Sequence, residues 1–157
     1  MTHWDHLPNA KHIDWVLASL KANPKKWAAA YNAANNAAYN TASDTAYYLV
    51  KDAARTVAYD AAFDAAFDAA YDAARNAARS AARGAVLEAA WDAILALFAY
   101  DDCAYMIESE VGELKIIAAF GNQRAILLLP ACIVYNEIKS ATPSKSYMDK
   151  IKCLFSI

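Results

Sequence analysis

Between residues 29 and 98 the chain keeps four-residue time: two small residues, one large residue, one small polar residue. The stretch "YDAAFDAAFDAAYDAARNAARSAARG" at 59–84 shows the pattern most plainly. An α-helix turns every 3.6 residues, so four residues advance about 400° and each repeat drifts about 40° from the last. A heptad drifts the other way and an eleven-residue repeat drifts less. A long straight helix of this kind would carry its large residues around every side. It would also span about 105 Å over these roughly 70 residues, whereas a compact domain of this size has a radius of gyration near 15 Å. The ladder must therefore fold back into several helices with broad or two-sided apolar surfaces.

The paired positions explain how such helices pack. The chain holds 39 alanines in 157 residues, and alanine combines the best helix propensity with the smallest side chain that still has a Cβ. Small pairs let helix axes approach toward the short end of the usual range of about 8–10 Å. The large position holds Tyr31, Tyr39, Tyr47, Arg55, Tyr59, Phe63, Phe67, Tyr71, Arg75, Arg79, Arg83, Leu87 and Trp91. Rings from one helix can then lie on the alanine floor of another. With only three glycines and four prolines, tight-turned sheets have little to be made from. The expected fold is all-α, a compact bundle of closely packed helices built on an AAxD/AAxN repeat. Residues 1–139 form one domain, and 140–157 are a polar tail ending in "IKCLFSI" that can dock on the bundle.

Local signals divide the bundle. Asn9 precedes a helix with Ile13, Val16, Leu17 and Leu20 on one face, and Asn23 with Pro24 reads as a cap with proline at the first helical position. Ser43 or Asp44 starts the next piece. Asp60, Asp64, Asp68 and Asp72 precede Arg75, Arg79, Arg83 and Gly84. Acid before base complements the helix dipole, which predicts one helix over 57–83 stopped or bent at Gly84. The run after Gly84 is helical again, "GELKIIAAFGN" is a short helix closed by Gly121, and "QRAILLLPACIVYNEI" is an apolar helix kinked or restarted at Pro130.

Charge and cysteines narrow the function classes. A net charge of −2 gives no basic footprint for a nucleic-acid polymer. Cys103, Cys132 and Cys153 form no CxxC, which favours a reducing, cytoplasmic setting over a disulfide framework. The apolar run over 125–135 is broken by Pro130 and too short for a bilayer, so no membrane partner is expected, and the N-terminus lacks the regions of a secretory signal. Whether copies of the chain associate is left open.

Chemistry-bearing residues are few. No catalytic motif is present, and no cofactor is implied. His3, Asp5 and His6 have the makings of a metal clip but read better as a frayed terminus. Asp101 and Asp102 stand between "ILALFAY" and "CAYMI". Burying a carboxylate alone is costly, so a cap, a base such as Arg124, or a ligand contact is expected there. Arg75, Arg79 and Arg83 make a row of like charges that repel mildly. Either the Asp ladder of a neighbouring helix compensates them, or an anionic ligand or acidic protein surface does, since guanidinium forks bind phosphate and carboxylate. Tyr71 stands close by for stacking.

The stretch "AAYDAAFDAAFDAAYDAARNAARSAAR", followed by "AYDDCAYM" and "AILLLPACIV", resembles the alanine-rich Imm-5-like family, proteins assigned an immunity role in bacteria and phages. The similarity covers roughly residues 8–136. It implies a helical protein of bacterial or phage conflict systems and carries over no catalytic residue. The expected function is therefore a non-enzymatic binding protein that neutralises a protein partner as an immunity or counter-defence factor. The alternative is a sponge for a small anionic, nucleotide-type signal, held by Tyr71 and the arginine row. Ice binding ranks far behind: Thr45 and Thr56 have no third threonine in series, and aromatics spoil a flat face. An enzyme built on Asp101 and Asp102 lacks a nearby histidine, nucleophile or metal cluster.

Overall fold

Two helices are buried on every side along their central turns, and the other described helices pack around them. In a computed structural model, residues 2–34, 44–78 and 83–141 are described, without the side chains at 44–48, 59–65, 83, 85 and 141. The elements are α1 (Ala10–Ala22), α2 (Pro24–Ala34), α3 (Asp44–Ala77), α4 (Arg83–Ala99), a 3₁₀ turn (Ala104–Glu108), α5 (Val111–Ala119) and α6 (Gln123–Ala141). All are helical, and the fold is an all-α bundle. In α4 every side chain from Ala89 to Phe98 is buried, and in α6 every one from Ala125 to Val134. A helix apolar all round belongs in the middle. Accordingly α4 packs against α1, α2, α3 and α6, and α6 against α2, α4, α5 and the 3₁₀ turn.

The four-residue ladder resolves into one buried stripe along α3. Ala54, Ala58, Ala66, Ala70, Ala74 and Ala78, each the second member of its pair, are all buried. The polar positions Asp52, Thr56, Asp68, Asp72 and Asn76 are exposed. A stripe of this period spirals around its helix, and α3 accommodates it by meeting α1, α4 and α6. At 34 residues α3 is longer than the expected segment. It starts at Asp44 and ends at Ala77, so the expected helix over 57–83 is corrected at both ends, and only Arg75 lies in its last turn. Gly84 belongs to the first turn of α4 and does not stop the preceding helix. The stop by glycine needs a positive φ, and among the described glycines Gly121 alone has one.

Other ends follow the sequence closely. Pro24 opens α2. At the end of α5 the N–H of Gly121 (φ 89°) bonds to Ala118 O at 3.0 Å and that of Asn122 to Ile117 O at 3.3 Å, the paired closure of a Schellman motif. Asn122 then caps α6, its Oδ1 accepting from the Ala125 N–H at 3.0 Å. α6 runs on through Pro130 without restarting, and it extends to Ala141. Docking of the tail lies outside the described residues.

The N-terminal segment is packed rather than frayed. Trp4 is buried and its indole donates to Asp14 Oδ1 at 2.8 Å. Asp5 accepts from the Thr2 hydroxyl at 2.5 Å and from the Thr2 N–H at 2.8 Å, and these contacts hold its carboxyl below the usual carboxylate range. Asn9 precedes α1 as expected, but its side chain does not cap that helix. Its Nδ2 instead donates to Leu97 O at 2.9 Å and Tyr100 O at 2.8 Å, tying the start of α1 to carbonyls left open at the end of α4. Asn9→Ala is expected to lower stability by about 1–2 kcal/mol, the net worth of two hydrogen bonds, measured by urea unfolding. An unchanged midpoint would mean that water replaces the amide at no cost.

Candidate functional site

The residues singled out from sequence fall on two separate surfaces. Tyr71 and Arg75 lie one turn apart on the outer side of α3, both exposed. Tyr71 is held from behind: its ring meets Trp91 of α4 edge to face at 5.0 Å and 81°, and Phe67 meets the same indole at 5.1 Å and 84°. Among the described residues no carboxylate pairs with Arg75. Arg79 and the side chain of Arg83 lie outside the described residues.

Asp101 and Asp102 correct the expectation of burial. Both are exposed in the turn after α4, which ends at Ala99. The apolar runs on either side turn inward while the chain reverses, and the reversal leaves the two carboxylates in water. Asp102 does meet Arg124, at 3.4 Å from Nε, an exposed pair of the sort worth about 0–1 kcal/mol. The Arg124 guanidinium also lies 4.3 Å over the Tyr100 ring. From Trp91 to Ala99 the helix rises about 12 Å, so Tyr71 and Arg75 do not share a site with this turn.

Cys103, next along the chain, is buried and donates to Tyr100 O at 3.2 Å. Burial pushes its thiol up to about 12, against the pull of Arg124. Burial likewise raises Cys132 to about 11. Thiols in this state stay protonated and are poor nucleophiles.

A buried polar cluster joins three helices, and sequence reasoning missed it. Lys51 of α3 places Nζ 3.1 Å from Asp92 Oδ1 and 3.4 Å from Glu88 Oε1, both on α4. The Tyr31 hydroxyl of α2 donates to Glu88 Oε2 at 3.3 Å. The Asp92 side chain is 4% exposed and that of Lys51 18%. Burial by itself lowers the lysine's affinity for its proton, but the charges of Asp92 and Glu88 outweigh it and hold Lys51 above its ordinary value. The signal was a break in the ladder: Lys51 fills a large position after the irregular pair Leu49 and Val50, and Glu88 is the one glutamate in a polar position. The cluster sets one cation against two carboxylates and ties α2, α3 and α4 together.

Among the described residues, α5 and the residue that follows it carry a group of exposed apolar side chains. Phe120 is 87% exposed, Ile116 60% and Ile117 41%. Positions i, i+1 and i+4 share a side of a helix, while Leu114 and Ala118 of the same helix are buried against the bundle. The tight α5–α6 reversal explains Phe120: as the residue before Gly121 it stands at the tip of a helical hairpin. At the other end of α5, Val111 lines an open groove of about 510 Å³ with Lys26, Ile133 and Asn136.

Among the described residues no group of three or more His, Cys, Asp or Glu is placed to hold a metal, and no helix is long and apolar enough to cross a membrane. Compared with known families, with curated proteins and with solved structures, the chain matches none of them.

Proposed function

We propose that the protein is a non-enzymatic binding protein that neutralises a protein partner, as an immunity or counter-defence factor would. The observation that carries this reading is the apolar side of α5, where Ile116, Ile117 and, just past the helix, Phe120 are exposed. Contiguous exposed apolar side chains mark interaction surfaces, and anchors at i and i+4 suit a partner with an apolar groove. The likeness in sequence to the Imm-5-like family supports the same reading. Phe120 touches little of its own fold, so Phe120→Asp is expected to leave the thermal melt unchanged. It should weaken a captured toxin or defence protein tenfold or more, as loss of a central anchor costs about 2 kcal/mol or more. Capture from host and phage lysates, with affinities measured for both forms, tests this. Equal binding by the variant, or no partner among such proteins, would overturn it.

A second reading, a sponge for a small anionic signal, is favoured by Tyr71 and Arg75, exposed one turn apart on α3, where among the described residues no carboxylate pairs with the arginine. It extends to Arg79 and Arg83 by sequence alone. Mass spectrometry of material released from the heat-denatured protein and from its Arg75→Ala variant distinguishes the two readings: a sponge built on this row arrives loaded and loses its ligand in the variant, whereas a protein-binding factor yields no ligand that depends on Arg75.

A further inference from the structure

A cleft of about 280 Å³ opens between α1, the 3₁₀ turn and α6, lined by Lys11, His12, Trp15, Ile107, Glu108 and Tyr135. Its size is near the lower end of the roughly 300–1,000 Å³ of small-molecule sites. The walls are aromatic and already fixed. Trp15 meets Tyr135 edge to face at 5.7 Å and 64°, and is backed by Trp27 at 6.3 Å. Trp27 is itself buried, with its indole donating to Ser19 Oγ at 3.2 Å. Ile107 is buried and closes the apolar floor. Rings held in this way offer a flat ligand a preformed surface and lose little freedom when it binds.

Polar groups stand at the rim with opposite signs. Lys11 is exposed and His12 half-buried, one turn below Trp15 on α1, and both carry N–H donors. Glu108, exposed at the end of the 3₁₀ turn, is an acceptor beside the Tyr135 phenol. The Tyr135 phenol already engages Glu108 in part, and an apolar ring alone would leave Lys11, His12 and the remaining acceptor positions of Glu108 unmet. A ring with an N–H donor at one edge and an anion at the other would meet all three.

We propose that this cleft binds a planar nitrogen heterocycle bearing an anionic group, the chemistry of a nucleoside monophosphate. The ring lies against Trp15 and Tyr135 over Ile107, an exocyclic amine donates to Glu108, and the phosphate meets Lys11 and His12. The site is independent of the α5 surface and of the Tyr71–Arg75 row, so it stands or falls without either reading of function.

The test is calorimetric titration of the full chain with AMP, GMP, CMP and UMP, with adenosine, inorganic phosphate and free tryptophan alongside. At least one monophosphate bearing an exocyclic amine is expected to saturate one site. Its affinity should fall tenfold or more for the nucleoside without phosphate, and by a similar factor in Lys11→Ala and Glu108→Ala. Both substitutions fall on exposed side chains, and thermal melts check that the fold is kept. Arg75→Ala is expected to bind as the unaltered protein does. The proposal is overturned if no monophosphate saturates at millimolar concentration or if Lys11→Ala and Glu108→Ala bind normally. It is equally overturned if Arg75→Ala alone loses binding, which would place the ligand on α3, or if tryptophan binds and no nucleotide does.

Discussion

Lys51→Met is expected to destabilise the protein by about 3–5 kcal/mol, the usual cost of removing one partner from a buried ion pair. The substitution keeps the side chain's length but leaves Asp92, 4% exposed, negative in the interior beside Glu88. Because Lys51 reaches solvent over 18% of its side chain, the lower end of that range is the better expectation. A double substitution, Lys51→Met with Asp92→Leu, should recover much of the loss, since apolar replacements of buried pairs are often neutral or stabilising.

The same cluster sets a pH dependence at the alkaline end. Lys51 holds its proton more tightly folded than unfolded, where a lysine titrates at about 10.4. Its contribution is therefore complete below that value and is lost as the pH rises through the higher folded value. Urea unfolding from pH 7 to the alkaline limit should show this fall in the unaltered protein and not in Lys51→Met. If the two proteins have equal midpoints at pH 7, the cluster contributes no net stability and this account of it fails.

Ala70→Leu is the second large effect. Ala70 is fully buried on the stripe by which α3 meets its neighbours, between Phe67 and Ala74 of the same helix and close to the Tyr71–Trp91 contact. Three extra carbons there must displace packed atoms, at about 1–3 kcal/mol, or a fall of about 2–4 °C in melting temperature per kcal/mol for a chain of this length. Asp72→Ala, two residues on and exposed, should change stability by no more than about 0.5 kcal/mol and has the better helix former. An unchanged or raised melting temperature for Ala70→Leu would mean that the stripe faces open space. The exposed Tyr71 and Arg75 would then belong to a broader binding face.

The sequence by itself determined the helices and many of their ends. Alanine propensity, Pro24 at a first position, Gly121 beyond a last one and the all-round apolar runs of α4 and α6 act over one or two turns, so they can be read without knowing what lies alongside. The ladder likewise announced close packing, because the size of a side chain is a local property. What local rules could not decide was where each element stops when two signals compete. Gly84 suggested a stop, but glycine stops a helix only where the chain takes a positive φ, and the bundle places that conformation at Gly121. Burial of polar groups was also decided by the tertiary structure. Asp101 and Asp102 lie between apolar runs yet face water because the chain reverses there, whereas Asp92 looks like any rung of the ladder yet is enclosed with Lys51 and Glu88. Solvation of a charge depends on which helices surround it, and for Glu88 those neighbours come from residues 37 and 57 positions away.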